Sequence, residues 1–120
     1  MLLVEDDPTV AEVISRLLQA RGHEVVHALH GLAALSEAST QAFDIGLCDL
    51  DLPLLDGFAL AGQLRDMGFR FPLIAVTARS DADTERRVRA ASFDGFLRKP
   101  VTGQMLADAI AAACPQGAAR

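Results

Sequence analysis

The sequence predicts an α/β fold, a doubly wound parallel sheet of five strands with five helices, in one domain. Two observations carry this. Five short apolar runs of β-branched or bulky residues alternate with stretches whose apolar residues recur at helical spacing, the pattern of a parallel sheet covered on both faces. The chain has 120 residues, 51% of them hydrophobic, which is enough for one packed core and too few for two.

The first strand is read over Leu2 to Val4. Its helix opens with Asp7 as N-cap and Pro8 at the first helical position, buries Val10, Val13, Ile14, Leu17 and Leu18, and ends at Gly22. The second strand is expected from about Glu24 to Ala28 and its helix from about Leu32 to Ala38. The third strand runs from about Asp44 to Cys48. An irregular loop marked by Pro53, Asp56 and Gly57 leads from it into a helix with Phe58, Leu60, Ala61 and Leu64 on its apolar side.

The fourth strand is Leu73 to Val76, and its helix begins near Ser80, whose spacing to Asp83 fits a capping box. The fifth strand is about Gly95 to Leu97 and the last helix about Thr102 to Ala113. Residues 115–120 lack periodicity, so the chain divides into a domain over 1–114 and a short tail. In the flavodoxin-like strand order 2-1-3-4-5, the first and third strands are neighbours and the first lies beside the switch point.

Composition removes several classes of function. The net charge is −5, from 16 acidic and 11 basic residues, which argues against a nucleic-acid backbone as the direct partner. Two cysteines, Cys48 in an apolar run and Cys114 near the end, imply no disulfide framework and fit a reducing, cytoplasmic setting. No apolar run reaches the roughly 18 residues of a membrane span, so no membrane contact is expected. Ten of the eleven basic residues are arginine. The only lysine, Lys99, points to a role that needs a compact ammonium.

In doubly wound sheets, ligands bind outside the carboxyl ends of the strands. The residues there are Glu5, Asp6 and Asp7 after the first strand, Asp49 and Asp51 after the third, Thr77 after the fourth and Lys99 after the fifth. Carboxylates brought together in one crevice repel, and a cation relieves them. A hard divalent ion bound through oxygen suits such a set, and Mg²⁺ suits one that also meets phosphate.

In this chain order, the residues resemble those of the bacterial response-regulator receiver family over essentially the whole length. LLVEDDP resembles its first-strand acidic motif, CDLDLPLLDG its phosphoacceptor loop, AVTA its fourth strand and FLRKP its lysine-proline signature. The resemblance implies five strands and five helices. It makes Asp49 the phosphoacceptor and Asp6 the main carboxylate ligand of Mg²⁺, with Glu5 reaching the ion through water and the Asp51 backbone carbonyl completing the set. Thr77 and Lys99 would contact phosphoryl oxygens, and the Lys99–Pro100 bond would be cis. Phe96 takes the switch-aromatic position, moving with Thr77 to reshape the surface of helix 4, strand 5 and helix 5. Asp51, Ala78 and Arg79 take positions that modulate the phosphorylated form, with an Asp51–Arg79 pair expected across the mouth.

The implied function is two-component phosphorelay signalling. A phosphohistidine on a histidine kinase or a histidine phosphotransfer protein would be the donor, and the domain would assist its own phosphorylation and dephosphorylation without being an enzyme in its own right. SFDGFLRKPV resembles receivers of hybrid sensor kinases. With the chain opening at Met1 directly before strand 1 and an aperiodic end, this leads to the expectation of a piece cut from such a kinase, with a stand-alone single-domain regulator as the alternative. Asp49-Leu50-Asp51 also has the D-x-D spacing of haloacid-dehalogenase-like phosphatases, but those place the nucleophile on the first strand. His23, His27 and His30 flank strand 2 and are expected at the surface, away from the acids. Arg86, Arg87 and Arg89 are expected on a solvated helix face.

Overall fold

Strands and helices alternate along the described residues, 1–79, 81–91 and 93–114, of a computed structural model. They are β1 (Leu2–Val4), α1 (Pro8–Gln19), β2 (Val26–Ala28), α2 (Gly31–Thr40), β3 (Gly46–Asp49), α3 (Gly57–Asp66), β4 (Leu73–Thr77), α4 (Ala82–Ala90), β5 (Gly95–Arg98) and α5 (Gly103–Ala113). Every ladder is parallel and the order is β2-β1-β3-β4-β5, as the sequence predicts.

Side chains alternate across the sheet, so each strand feeds two cores. Leu2, Val4, Cys48 and Leu73 pack with Ala34 and Ala38 of α2 and Leu60, Ala61 and Leu64 of α3. Leu3, Leu47, Ile74 and Val76 pack on the other face with Ala11, Ile14 and Leu18 of α1 and Leu106 of α5. Leu50, Ala75 and Val88 form a third cluster under α4, joined by Phe58, Phe93 and Phe96. Central β1, β3 and β4 are buried along their full length, which explains their unbroken apolar runs, whereas edge strand β5 is half-buried.

Helix starts follow the local chemistry. Asp7 accepts from the Thr9 and Val10 amides, Asp56 from Ala59 and Thr102 from Met105. Two starts differ from expectation. His30 caps α2 through Nδ1, which accepts from the Ala33 amide, so the helix begins at Gly31 and runs on to Thr40. Helix α4 begins at Ala82 with Asp81 as its cap. Asp81 accepts from both the amide and the hydroxyl of Thr84; Ser80, the cap expected from the sequence, lies outside the described residues.

Strand ends shift by one or two residues. Glu24 and Val25 precede the ladder of β2. Strand β3 starts at Gly46 because Asp44 stays out in solvent, 87% exposed beside the Met1 ammonium at 3.9 Å. Val13 is not buried: at 53% exposure it lies on the margin of the α1 stripe, beyond the reach of the sheet. Residues 115–120, the expected tail, lie outside the described residues.

Candidate functional site at the carboxyl edge of the sheet

Parallel register brings four strand ends to one edge. Asp49 is the last residue of β3 and pairs with Val76, one step before Thr77. The Lys99 amide donates to the Thr77 carbonyl at 2.8 Å, which extends the β4–β5 ladder and delivers the lysine to the same edge. Glu5 follows β1, the other neighbour of β3. Gly57 lets α3 start directly against this edge. A Cβ there would fall 2.5 Å from the Asp49 carbonyl oxygen and 2.8 Å from the Leu50 Cα, so only glycine fits the approach.

Glu5 and Asp49 are buried, and Asp6 is exposed beside them. Oxygens of the three carboxylates lie within 4.8 Å of one another. Lys99 Nζ donates to Glu5 Oε1 at 2.6 Å and to Asp49 Oδ2 at 3.3 Å. The other carboxylate oxygens accept backbone donors, Asp49 Oδ1 from the Asp51 amide at 3.0 Å and Glu5 Oε2 from the Asp7 amide at 3.2 Å.

One ammonium does not balance two buried carboxylates. Burial, reinforced by the charge of Asp49 and opposed by Lys99, pushes Glu5 up to about 7. Burial acts to lower Lys99, but its hydrogen bond to Glu5 and the charges of Asp49 and Glu5 prevail, and its pKa is raised. The lysine therefore stays charged. The shortage of positive charge, an all-oxygen donor set and the close spacing of the acids all fit a hard divalent cation.

At the mouth, the Arg79 guanidinium donates to Asp51 Oδ1, forming the pair expected from the sequence, and each side chain is 42% exposed. The buried Thr77 hydroxyl donates to Asp51 Oδ2 at 3.3 Å and accepts from the Arg79 amide at 3.1 Å. Phe96 is half-buried against Leu50, Ala75 and Val88, with the Arg98 guanidinium 5.9 Å from its ring centroid. Ala78 lines an apolar groove of about 410 Å³ with Val10, Val13 and Lys99. The Lys99–Pro100 peptide bond is cis.

His27 and His30 are exposed, as expected, and His23 is half-buried, but His27 lies nearer the acids than the sequence suggests. In the β1–β2 ladder it pairs with Leu3, and its Nε2 donates to the Glu5 carbonyl at 2.7 Å. The strand order 2-1 was the available signal, since it makes β2 a direct neighbour of the acid-bearing strand. Arg86 and Arg89 are exposed and pair with Asp83 and Glu85. Arg87 instead stacks on Phe58, 4.2 Å from the ring centroid. Cys48 is buried, and burial followed by the charge of Asp49 pushes its thiol well above the usual range.

Residues 1–111 match the family model described as the response regulator receiver domain. Over 111 residues the chain is 32% identical to the sensor histidine kinase RcsC of Salmonella typhimurium, covering 92% of this chain and 12% of that protein. It is 30% identical over 115 residues to the sensor histidine kinase GacS of Pseudomonas protegens, covering 92% and 12%. The chain thus spans about one eighth of the length of these relatives. Among solved structures, the receiver domain of sensor histidine kinase PA1611 from Pseudomonas aeruginosa, with a magnesium ion coordinated in its active site cleft, superposes with a TM-score of 0.87. It is 30% identical, with 95% of each chain covered. The chemotaxis protein CheY4 of Vibrio cholerae gives a TM-score of 0.87 at 26% identity, covering 93% of this chain and 95% of that one.

Proposed function

The chain belongs to the response regulator receiver domain family, and from that premise we propose that Asp49 accepts a phosphoryl group from a phosphohistidine with Mg²⁺ bound beside it. The observation that carries this is the placement of Asp49. It is a buried carboxylate at a strand end, touched by the only lysine and within 4.8 Å of Glu5 and Asp6.

Glu5, Asp6 and Asp49, with the Asp51 backbone, are the residues that would hold Mg²⁺. The ion supplies positive charge against the carboxylates and the phosphoryl oxygens. Asp49 attacks phosphorus with a carboxylate oxygen. An O–P bond forms as the N–P bond breaks, and the departing imidazole takes up a proton. Lys99 offers N–H donors to the charge that develops on the phosphoryl oxygens, and because it is already held in place little reorganisation is needed. Thr77 donates its hydroxyl to the phosphoryl group once formed, and Phe96 repacks against α4 as it does so. Asp51 and Arg79 bridge the mouth and slow the approach of water, while Ala78 leaves room on the opposite wall.

The receiver unit spans residues 1–114, of which 1–111 match the family model. Its donors are a histidine kinase or a histidine phosphotransfer protein, and the similarity to RcsC and GacS supports a parent hybrid kinase over a stand-alone regulator. Among the described residues no helix is long and apolar enough to cross a membrane. A cytoplasmic placement rests on the reducing character inferred from the cysteines. Phosphotransfer from the autophosphorylated kinases and phosphotransfer proteins of the source organism tests the reading. Rapid transfer to wild type and none to Asp49→Asn supports it, and transfer from no phosphohistidine protein contradicts it.

A further inference from the structure

Asp51 makes two contacts, and the one to the Thr77 hydroxyl must break if that hydroxyl is to reach a phosphoryl group on Asp49. Its Oδ2 takes the Thr77 hydroxyl at 3.3 Å, and its Oδ1 takes the Arg79 guanidinium. Thr77 is the last residue of β4 and fully buried, so its hydroxyl can reach only what lies at the strand end. Arg79 lies between β4 and Asp81, the cap of α4. One carboxylate therefore holds both the end of β4 and the segment that leads into α4.

We propose that Asp51 is the off-state latch of this domain: it competes with the phosphoryl group for the Thr77 hydroxyl, while its other oxygen stays on Arg79. This rests on the phosphoacceptor reading and deepens it by naming what opposes the switch. Asp51 is a positioning residue here, acting through Thr77. The latch biases a two-state equilibrium, because its contacts with Thr77 exist in one state only. Removing it raises the population of the state in which Thr77 is free, and apparent affinity for a phosphoryl mimic rises with that population.

The test compares Asp51→Ala with Asp51→Asn in the full chain. Both remove the same charge, but only asparagine keeps an oxygen that can accept from Thr77. Equilibrium binding of beryllofluoride with Mg²⁺, a phosphoryl mimic, is followed by calorimetry, since an equilibrium is insensitive to how open the mouth is. The latch predicts that Asp51→Ala binds about threefold or more tightly than Asp51→Asn, the effect of losing one hydrogen bond at a half-exposed site. In unliganded Asp51→Ala the Thr77 methyl resonance should also move toward its position in the bound wild type. Equal affinities for the two variants, with Thr77 unmoved, overturn the latch alone. If wild type binds no beryllofluoride and takes up no phosphoryl group, the phosphoacceptor reading falls and the latch with it.

Discussion

The Lys99 ammonium sits closer to Glu5, at 2.6 Å, than to Asp49, at 3.3 Å. The lysine is shared between the two carboxylates and held more closely by Glu5. On the proposed function, phosphorylation is expected to draw it from Glu5 toward a phosphoryl oxygen, a turn that suits a compact ammonium better than a planar guanidinium. Lys99→Arg is expected to keep the fold and the charge but to cut the extent of phosphorylation or switching at least tenfold. Full labelling and signalling by Lys99→Arg would remove the special role of the only lysine.

Stability should fall with rising pH when Mg²⁺ is absent. Glu5 is raised from 4.5 to about 7 in the folded chain, so between those values the folded state binds the extra proton. The contribution is fully present below pH 4.5 and is lost as pH rises through 7. It amounts to at most about 3 kcal/mol. Thermal melts in chelator from pH 4.5 to 8 should show the decline, and Glu5→Gln should flatten it. A wild-type profile that does not fall across this window would mean that Glu5 is ionised throughout.

Asp6 is exposed, so its removal costs the fold little while taking a carboxylate from the acidic triad. Asp6→Asn should weaken Mg²⁺ binding by about tenfold or more. It should also melt no lower than wild type in chelator, because a like charge has gone. The chain has neither tryptophan nor tyrosine, so calorimetry or amide chemical shifts must report the binding. Unchanged Mg²⁺ affinity would take Asp6 out of the ligand set.

Gly57→Ala tests how tightly α3 is seated against the site. Its Cβ meets backbone of Asp49 and Leu50, which cannot swing aside as a side chain can. A loss of about 1–3 kcal/mol on denaturant melts is expected, with reduced labelling of Asp49 because the strand end must move. Wild-type stability and labelling would show that the loop absorbs the methyl group elsewhere.

Much of this was legible in the sequence, and the reason is geometric. Strand ends in a parallel sheet all open on one edge, so reading the residue after each apolar run collected Glu5, Asp49, Thr77 and Lys99 without knowledge of distances. Asp7-Pro8 gave the start of α1 because a cap and a proline act locally. What escaped depends on contacts between elements. The exposure of Val13 depends on how α1 is rotated about its axis, and the bond from His27 to the Glu5 carbonyl on the register of β2 against β1. Arg87 lies over Phe58 because α4 packs beside α3, and the Thr77 hydroxyl meets Asp51 because the third and fourth strands adjoin. The cap of α4 was misread for a local reason, since Ser80 and Asp81 are adjacent and both are good caps.

The central claim is that Asp49 carries the phosphoryl group. Intact-mass spectrometry after incubation with phosphoramidate or acetyl phosphate, with and without Mg²⁺, tests it most directly. Wild type should gain one phosphoryl group, strictly dependent on Mg²⁺, and Asp49→Asn none. An Asp49→Asn protein labelled as fully as wild type would contradict it.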